Sequence, residues 1–197
     1  MKYELVDTEW GSFGLVTRGD RLVATFLPRR GRDDVERAIR SLFPGAVKGH
    51  RLLPRFRRQV TAYFAGKPTD FSVKLDLSDH PPFRRSVLEA CRRIKYGRTA
   101  SYGDLARAAG VPHAARAVGG VMAHNPMPIV IPCHRVLRSD GSLGGFSSPD
   151  GVKEKARLLH LENPSLDGGV TARRSASRRI MTAAGNRKCK ARRAGRS

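Results

Sequence analysis

The sequence predicts an α+β chain, with strands gathered in the first third and helices in the remainder. Three observations carry this. Apolar residues alternate with period two over residues 1–27; Phe83, Val87, Leu88, Cys91 and Ile94 recur at helical spacing; and the turn-forming run Ser78-Asp79-His80-Pro81-Pro82 lies between the two patterns. At 197 residues the chain is long enough to bury a sizeable core without disulfide staples. The expected division is 1–77, a linker at 78–82, a second domain at 83–164 and a tail at 165–197.

In chain order, Phe13 and Leu15 and then Leu22, Ala24 and Phe26 read as half-buried strands joined at Arg18-Gly19-Asp20, a hairpin or meander. Asp33 is placed to cap a helix with Val35, Ile39 and Leu42 on one face, ending near Pro44-Gly45. A second helix follows Pro54 with Phe56, Val60 and Tyr63 or Phe64 on its apolar face and stops at Gly66. Phe71, Val73 and Leu75 then alternate as one more strand. No catalytic constellation is visible in this part.

Beyond the linker, the helix carrying Val87 and Leu88 places Cys91 on its buried face, as core rather than chemistry, and His80 reads as a turn residue. Residues 97–124 read as a helix-turn-helix. Ser101 starts a short helix through Leu105 and Ala108, Gly110 ends it, and Pro112 opens another running to about Ala123. Ala114, Ala115, Ala117, Gly119 and Gly120 leave one face of that helix almost bare, with Arg116 projecting from it. Each glycine costs about 1 kcal/mol of helix propensity, so something offsets the cost: tight helix packing, or close approach to a DNA groove.

Next, Asn125-Pro126-Met127-Pro128-Ile129-Val130 is stiffened by two prolines and reads as a short buried strand leading into Ile131-Pro132-Cys133-His134-Arg135-Val136. Arg138-Ser139-Asp140-Gly141 is a turn, and the glycine-rich loop at 143–151 has no dinucleotide fingerprint. A final helix from Val152 sets Lys155, Leu158, Leu159 and Glu162 on adjacent turns of one face. A carboxylate that points the way the leucines point needs a partner, since burying it unpaired is prohibitive. After Asn163-Pro164 the composition loses periodicity, and the tail is expected to be disordered.

The formal net charge is +21; the tail from Ser165 holds ten Lys or Arg against one acid, which leaves +12 on residues 1–164. A basic folded part points to a polyanionic partner, most simply nucleic acid. The three cysteines, Cys91, Cys133 and Cys189, are far apart and show no Cys-x-x-Cys spacing, so neither a disulfide framework nor a zinc site is expected. A reducing cytoplasm fits that usage. No apolar run approaches the ~20 residues of a membrane span, and the first residues lack the apolar core of a signal peptide. No membrane partner is expected.

Of the three, Cys133 is the nucleophile candidate. A free thiol has a pKa near ~8.5, so a reactive cysteine needs a cationic or proton-accepting neighbour, and His134 adjoins it.

The block from Ser101 to Glu162 resembles the O6-alkylguanine-DNA alkyltransferase family, the methylated-DNA–protein-cysteine methyltransferases. Ser101-Tyr102, the run Ala114-Ala115-Arg116-Ala117-Val118-Gly119-Gly120, Asn125-Pro126, Ile131-Pro132-Cys133-His134-Arg135-Val136 and the Lys155, Leu158-Leu159, Glu162 pattern carry the resemblance. It implies a small RNase H-like α/β N-terminal domain followed by a winged-helix-like, mainly helical DNA-binding domain. It also implies a monomer that binds double-stranded DNA containing O6-alkylguanine through the minor groove. Cys133 would accept the alkyl group in a single irreversible turnover, His134 would take its proton through a water, and Glu162 would orient the imidazole. Asn125 would brace the turn before Cys133. Arg116 would replace the extruded base, and Tyr102 would rotate its phosphate and lend a hydroxyl. Ala114, Ala115, Ala117, Gly119 and Ser139 would touch DNA, while Met122, Pro128, Phe146 and Ser147 would line the pocket. No cofactor or metal is implied. Phe146 stands where some members have tyrosine, and the basic tail is outside the family pattern. Two other readings compete: a lesion sensor, which in this fold lacks the cysteine, and a thiol hydrolase. They differ in turnovers per molecule: none for the sensor, one for the alkyltransferase and many for the hydrolase.

Overall fold

The computed structural model describes residues 1–165. The strands β1 (Lys2–Thr8), β2 (Gly11–Arg18) and β3 (Arg21–Arg29) form an antiparallel meander. The short β4 (Val47–Lys48), which has no clear sequence signal, adds parallel to β1 and completes the order β3-β2-β1-β4. Helix α1 (Arg32–Leu42) covers one face of the sheet and α2 (Pro54–Phe64) the other. Because β2 is central and covered on both sides, its Phe13-Gly14-Leu15-Val16 run is apolar on both faces. Gly14 permits the close approach of α1: a Cβ there would lie 2.8 Å from Val35 and 2.9 Å from Ile39.

Several expectations change in detail. Leu22, Ala24 and Phe26 do not share a face, because Thr17 pairs with Leu22 while Val16 pairs with Ala24, leaving Val23 as an extra residue. That bulge turns Leu22 toward the α2 side and leaves Ala24 and Phe26 against α1. Asp33 is not the cap of α1; Gly31 is, and Asp33 lies in the first turn, where its charge complements the helix dipole. Val35 and Ile39 are buried, but Leu42, the last helical residue, is 69% exposed. Phe71, Val73 and Leu75 make no strand. Leu75 forms one isolated parallel bridge with Leu22, closed by hydrogen bonds of Leu22 N to Lys74 O and Asp76 N to Leu22 O.

The second half is helical: α3 (Pro82–Arg92), α4 (Tyr102–Ala108), α5 (Ala115–Ala123) and α6 (Val152–Glu162), with β5 (Ala100–Ser101) and β6 (Val136–Leu137) paired parallel. Ser101 caps α4 in a reciprocal box with Asp104, which satisfies two otherwise orphaned backbone donors. Helix α5 begins at Ala115 rather than at Pro112, which sits in the preceding turn. Residues 125–131 form turns and bends, not a strand, with Met127 and Ile129 to Ile131 buried, and Ile129 takes a left-handed φ of 66°. A β-branched residue held there costs about 1–3 kcal/mol, so the surroundings must impose it. Edge strand β3 contributes to this: Thr25 N donates to Pro126 O at 3.0 Å and Thr25 Oγ1 to Pro128 O at 2.9 Å.

One core runs through both halves. Phe13, Leu15, Phe56, Val60, Tyr63 and Phe64 join Val87, Leu88, Cys91, Leu105, Ile131 and Leu158 in a single cluster. Trp10 bridges the halves, its ring tilted against Phe64 at 5.3 Å and under the Arg157 guanidinium at 3.6 Å. Cys91 is fully buried in this core. Among the described residues, no helix is long and apolar enough to cross a membrane. The expected disordered tail lies outside the described residues, apart from Ser165.

Candidate active site

Cys133 opens a one-turn 3-10 helix, Cys133–Arg135, immediately after the turn at Ile129. The Asn125 amide holds that turn from within. Its Nδ2 donates to Ile131 O at 2.7 Å and to Cys133 Sγ at 3.0 Å, and its Oδ1 accepts from Met127 N at 3.0 Å. The thiol is 6% exposed. Burial pushes its pKa up, while the Asn125 amide, the Lys155 charge and two backbone N–H groups pull in the other direction. The resting group is therefore a thiol that must lose its proton when it reacts, and the neighbouring histidine does not hold it as a standing thiolate.

His134 is fully buried and turned toward α6. Its Nε2 lies 2.7 Å from Glu162 Oε1, and its Nδ1 has no hydrogen-bond partner among the described residues. Burial pushes the imidazole pKa down, so at rest it is neutral, donating from Nε2 and keeping a lone pair on Nδ1. The partner that Glu162 requires is in fact a set of them. Tyr63 Oη donates to Oε1 at 2.7 Å, Arg135 donates from Nε to Oε2 and from Nη2 to Oε1, each at 2.8 Å, and Gly97 N donates to Oε2 at 3.2 Å. Burial would push this carboxyl up, but its bonds to His134 and Arg135 outweigh that and hold it well below the usual carboxylate range.

In front of Cys133 lies a cavity of about 510 Å³, lined by Tyr102, Gly119, Met122, Ala123, Arg138, Phe146 and Ser147 along with Gly144 and Gly145. Met122, Phe146 and Ser147, expected at a pocket, line this cavity. Pro128 is not among the lining residues, because β3 holds its backbone through the Thr25 hydroxyl. Burial pushes the Tyr102 hydroxyl pKa up, so it remains a donor. Gly144 (φ 65°) lets the loop pass over that hydroxyl; a Cβ there would stand 3.3 Å from it.

Lys155 supports the same wall from beneath. It is fully buried, its Nζ donates to Val136 O at 2.6 Å and to Leu143 O, and it lies 6.0 Å from the Tyr102 ring centre. Burial pushes its pKa down to about 8.

Arg116 stands exposed on the first turn of α5, with Ala117 also exposed and Ala114, Ala115 and Gly119 half-buried; Ser139 is exposed in the turn after β6. The bare helix face is thus, among the described residues, partly open, at Arg116, Ala117 and Gly120, and partly covered, with Gly119 beside the Tyr102 ring. Among the described residues, no group of three His, Cys, Asp or Glu is placed to hold a metal ion.

Among the residues that the structure places at the site, Tyr63, Arg135, Lys155 and Arg138 carry side chains to which sequence reasoning assigned no role. Arg135 was within reach, since a buried carboxylate demands a cation and Arg135 is the nearest one to the thiol in sequence. Tyr63 carried no signal, because its position on the apolar face of α2 predicts only a buried ring.

Comparison with known proteins gives a consistent result. Residues 1–77 match the family model "6-O-methylguanine DNA methyltransferase, ribonuclease-like domain", and residues 82–164 match "6-O-methylguanine DNA methyltransferase, DNA binding domain". A methylated-DNA–protein-cysteine methyltransferase of Mycolicibacterium paratuberculosis is 40% identical over 178 residues, 87% of this chain and 98% of that protein. The crystal structure of Mycobacterium tuberculosis OGT in complex with DNA superposes with a TM-score of 0.69 at 34% identity, over 83% of this chain and 94% of that one. The O6-methylguanine-DNA methyltransferase of the hyperthermophilic archaeon Pyrococcus kodakaraensis superposes with a TM-score of 0.62 at 26% identity, over 82% and 98%.

Proposed function

The chain belongs to the O6-methylguanine-DNA methyltransferase family, and from that premise we propose that it repairs DNA by moving a methyl or small alkyl group from O6 of guanine onto Cys133. The observation that carries the proposal is that the Cys133 thiol lines a cavity large enough for a base, while the next residue in the chain, His134, is a buried imidazole paired with a carboxylate.

The chemistry follows from the chain's own groups. The thiol hydrogen passes to the free Nδ1 of His134, through a bridging water, and Glu162 stabilises the imidazolium that forms. Sulfur attacks the alkyl carbon, so that an S–C bond forms as the C–O6 bond breaks. The electron pair of that bond leaves with guanine, and the Tyr102 hydroxyl donates to the ring as charge develops there. The proton taken by His134 then balances the departing guanine through solvent. Water does not readily cleave the resulting thioether, so one molecule repairs one lesion.

To be reached, the damaged guanine must leave the duplex stack, at a cost of a few kcal/mol. In this reading α5 enters the minor groove with its short side chains and Arg116 takes the vacated place. Ser139 and the first turn of α5 contact the backbone, and the protein acts as a monomer in the reducing cytoplasm that a free thiol requires. The test is intact mass after mixing with a duplex containing O6-methylguanine. A single added methyl group mapped to Cys133 supports the reading, whereas no adduct, or repeated turnover, would overturn it.

A further inference from the structure

The cluster behind Cys133 contains a hydroxyl for which the alkyl-transfer reading has no task. Tyr63 lies on α2, in the first domain, yet its hydroxyl is buried against the imidazole and carboxylate of the second. We propose that Tyr63 is a positioning residue of the proton relay, through which the first domain sets the basicity and orientation of His134. This rests on His134 being the base for Cys133.

The geometry is specific. Tyr63 Oη donates to Glu162 Oε1 at 2.7 Å, the same oxygen that His134 Nε2 meets at 2.7 Å, and the hydroxyl oxygen lies 3.4 Å from Nε2. The Nε2–H of His134 therefore points between a carboxylate and a phenol oxygen. The ring does not require the hydroxyl, since it already packs on Phe64, Phe71 and Tyr96 at 5.1, 5.7 and 6.1 Å. A phenylalanine would fill that space without the desolvation cost of a buried hydroxyl. Burial first, and then the Glu162 charge, push the Tyr63 pKa well above its ordinary value, so the hydroxyl stays a donor at any working pH.

Several charged or titratable groups face His134. Glu162 and Lys155 come from α6, Arg135 from its own turn, and Tyr63 from α2, with Tyr96 beyond Arg135; Cys133 precedes it in sequence, with Cys91 of α3 near Cys133. Glu162 raises the imidazole's affinity for a proton, and each donor on Oε1 tempers that pull by drawing charge away from Nε2. Removing the hydroxyl concentrates the Oε1 charge on His134 and frees the ring to rotate. The imidazole then holds its proton to higher pH and presents Nδ1 less consistently.

The test is Tyr63→Phe in the full chain, with single-turnover methyl transfer from saturating O6-methylguanine duplex and transfer from free O6-benzylguanine both measured against pH. The acid limb of the rate profile, where His134 must be neutral, should move upward on both substrates. The move should be at least about 0.3 pH unit, with a plateau roughly 3- to 10-fold lower and unchanged DNA affinity. A lower plateau with the limb unmoved would make Tyr63 a packing residue only and overturn the proposal, as would an unchanged profile. If the phenylalanine variant does not fold, 3-fluorotyrosine at position 63 keeps the ring and hydroxyl but donates more strongly. It should shift the limb downward, and an unshifted limb again overturns the proposal. Wild-type protein that transfers no alkyl group to Cys133 would defeat the functional reading and this one together. Normal wild-type transfer with an unaltered variant would defeat this one alone.

Discussion

Replacing Glu162 by Gln keeps the side chain's shape and removes its charge, so it measures what the buried cluster contributes to stability. Glutamine supplies one oxygen and one amide NH₂ where the native site offers two oxygens to Tyr63, His134, Gly97 and the Nε and Nη2 of Arg135. Whichever way the amide turns, its NH₂ faces an N–H, and Arg135, only 4% exposed, keeps its charge with no carboxylate opposite. Breaking a buried pair in this way costs about 3–5 kcal/mol, a large share of the ~5–15 kcal/mol that holds a typical domain folded. With a urea slope near ~2 kcal/mol per M, the midpoint should fall by roughly 2 M with the slope unchanged. A shared core across both halves makes a single unfolding transition the expected form of the curve. The pH dependence supplies a second check. The Glu162 carboxyl is held below its ordinary range, so its contribution is fully present above the unfolded value of about 4.3 and is lost as pH falls through the lower folded value. The gap between wild type and variant should therefore be complete at neutral pH and begin to close only below about pH 4. A loss under about 1 kcal/mol at neutral pH would refute the account, since the pair would then be either solvated or unimportant to the fold.

Cys133→Ala should bind O6-methylguanine duplex but acquire no methyl group by intact mass, and the fully buried Cys91 should stay unmodified in both proteins. Arg116→Ala should slow repair of duplex far more than transfer from free O6-benzylguanine, because the free base has no stack to leave; equal losses would argue against its place in the helix. Deleting residues 166–197 should weaken DNA binding and reduce the log-log salt slope by about 0.9 for each phosphate that the shortened protein no longer neutralises. The single-turnover rate at saturating DNA should be unchanged, and a lower rate would place the tail within the site.

Local pattern alone determined much of this protein. The period-two alternation before residue 30, the helical spacing from Val87 to Ile94, the Ser101 cap and the Cys133–His134 pair are all short-range features. Each reflects an interaction within a few residues of chain, which is why it can be read without a fold. The one long-range inference that succeeded was that Glu162 must have a partner. It rested on the cost of burying a charge, which holds whatever the topology. Tertiary packing decided the rest. The bulge at Val23 changes which face Leu22 joins, the run 125–131 forms turns held by Asn125 from within and by β3 at the Pro126 and Pro128 carbonyls, and Phe71–Leu75 stays irregular with only one bridge to pair with. Tyr63 shows the limit most clearly. Its ring belongs to the apolar face of α2, as its spacing implies, but its hydroxyl meets Glu162 from 99 residues away in sequence. A hydrogen bond between groups so far apart leaves no periodic trace along the chain, and it exists only because one core joins the two halves.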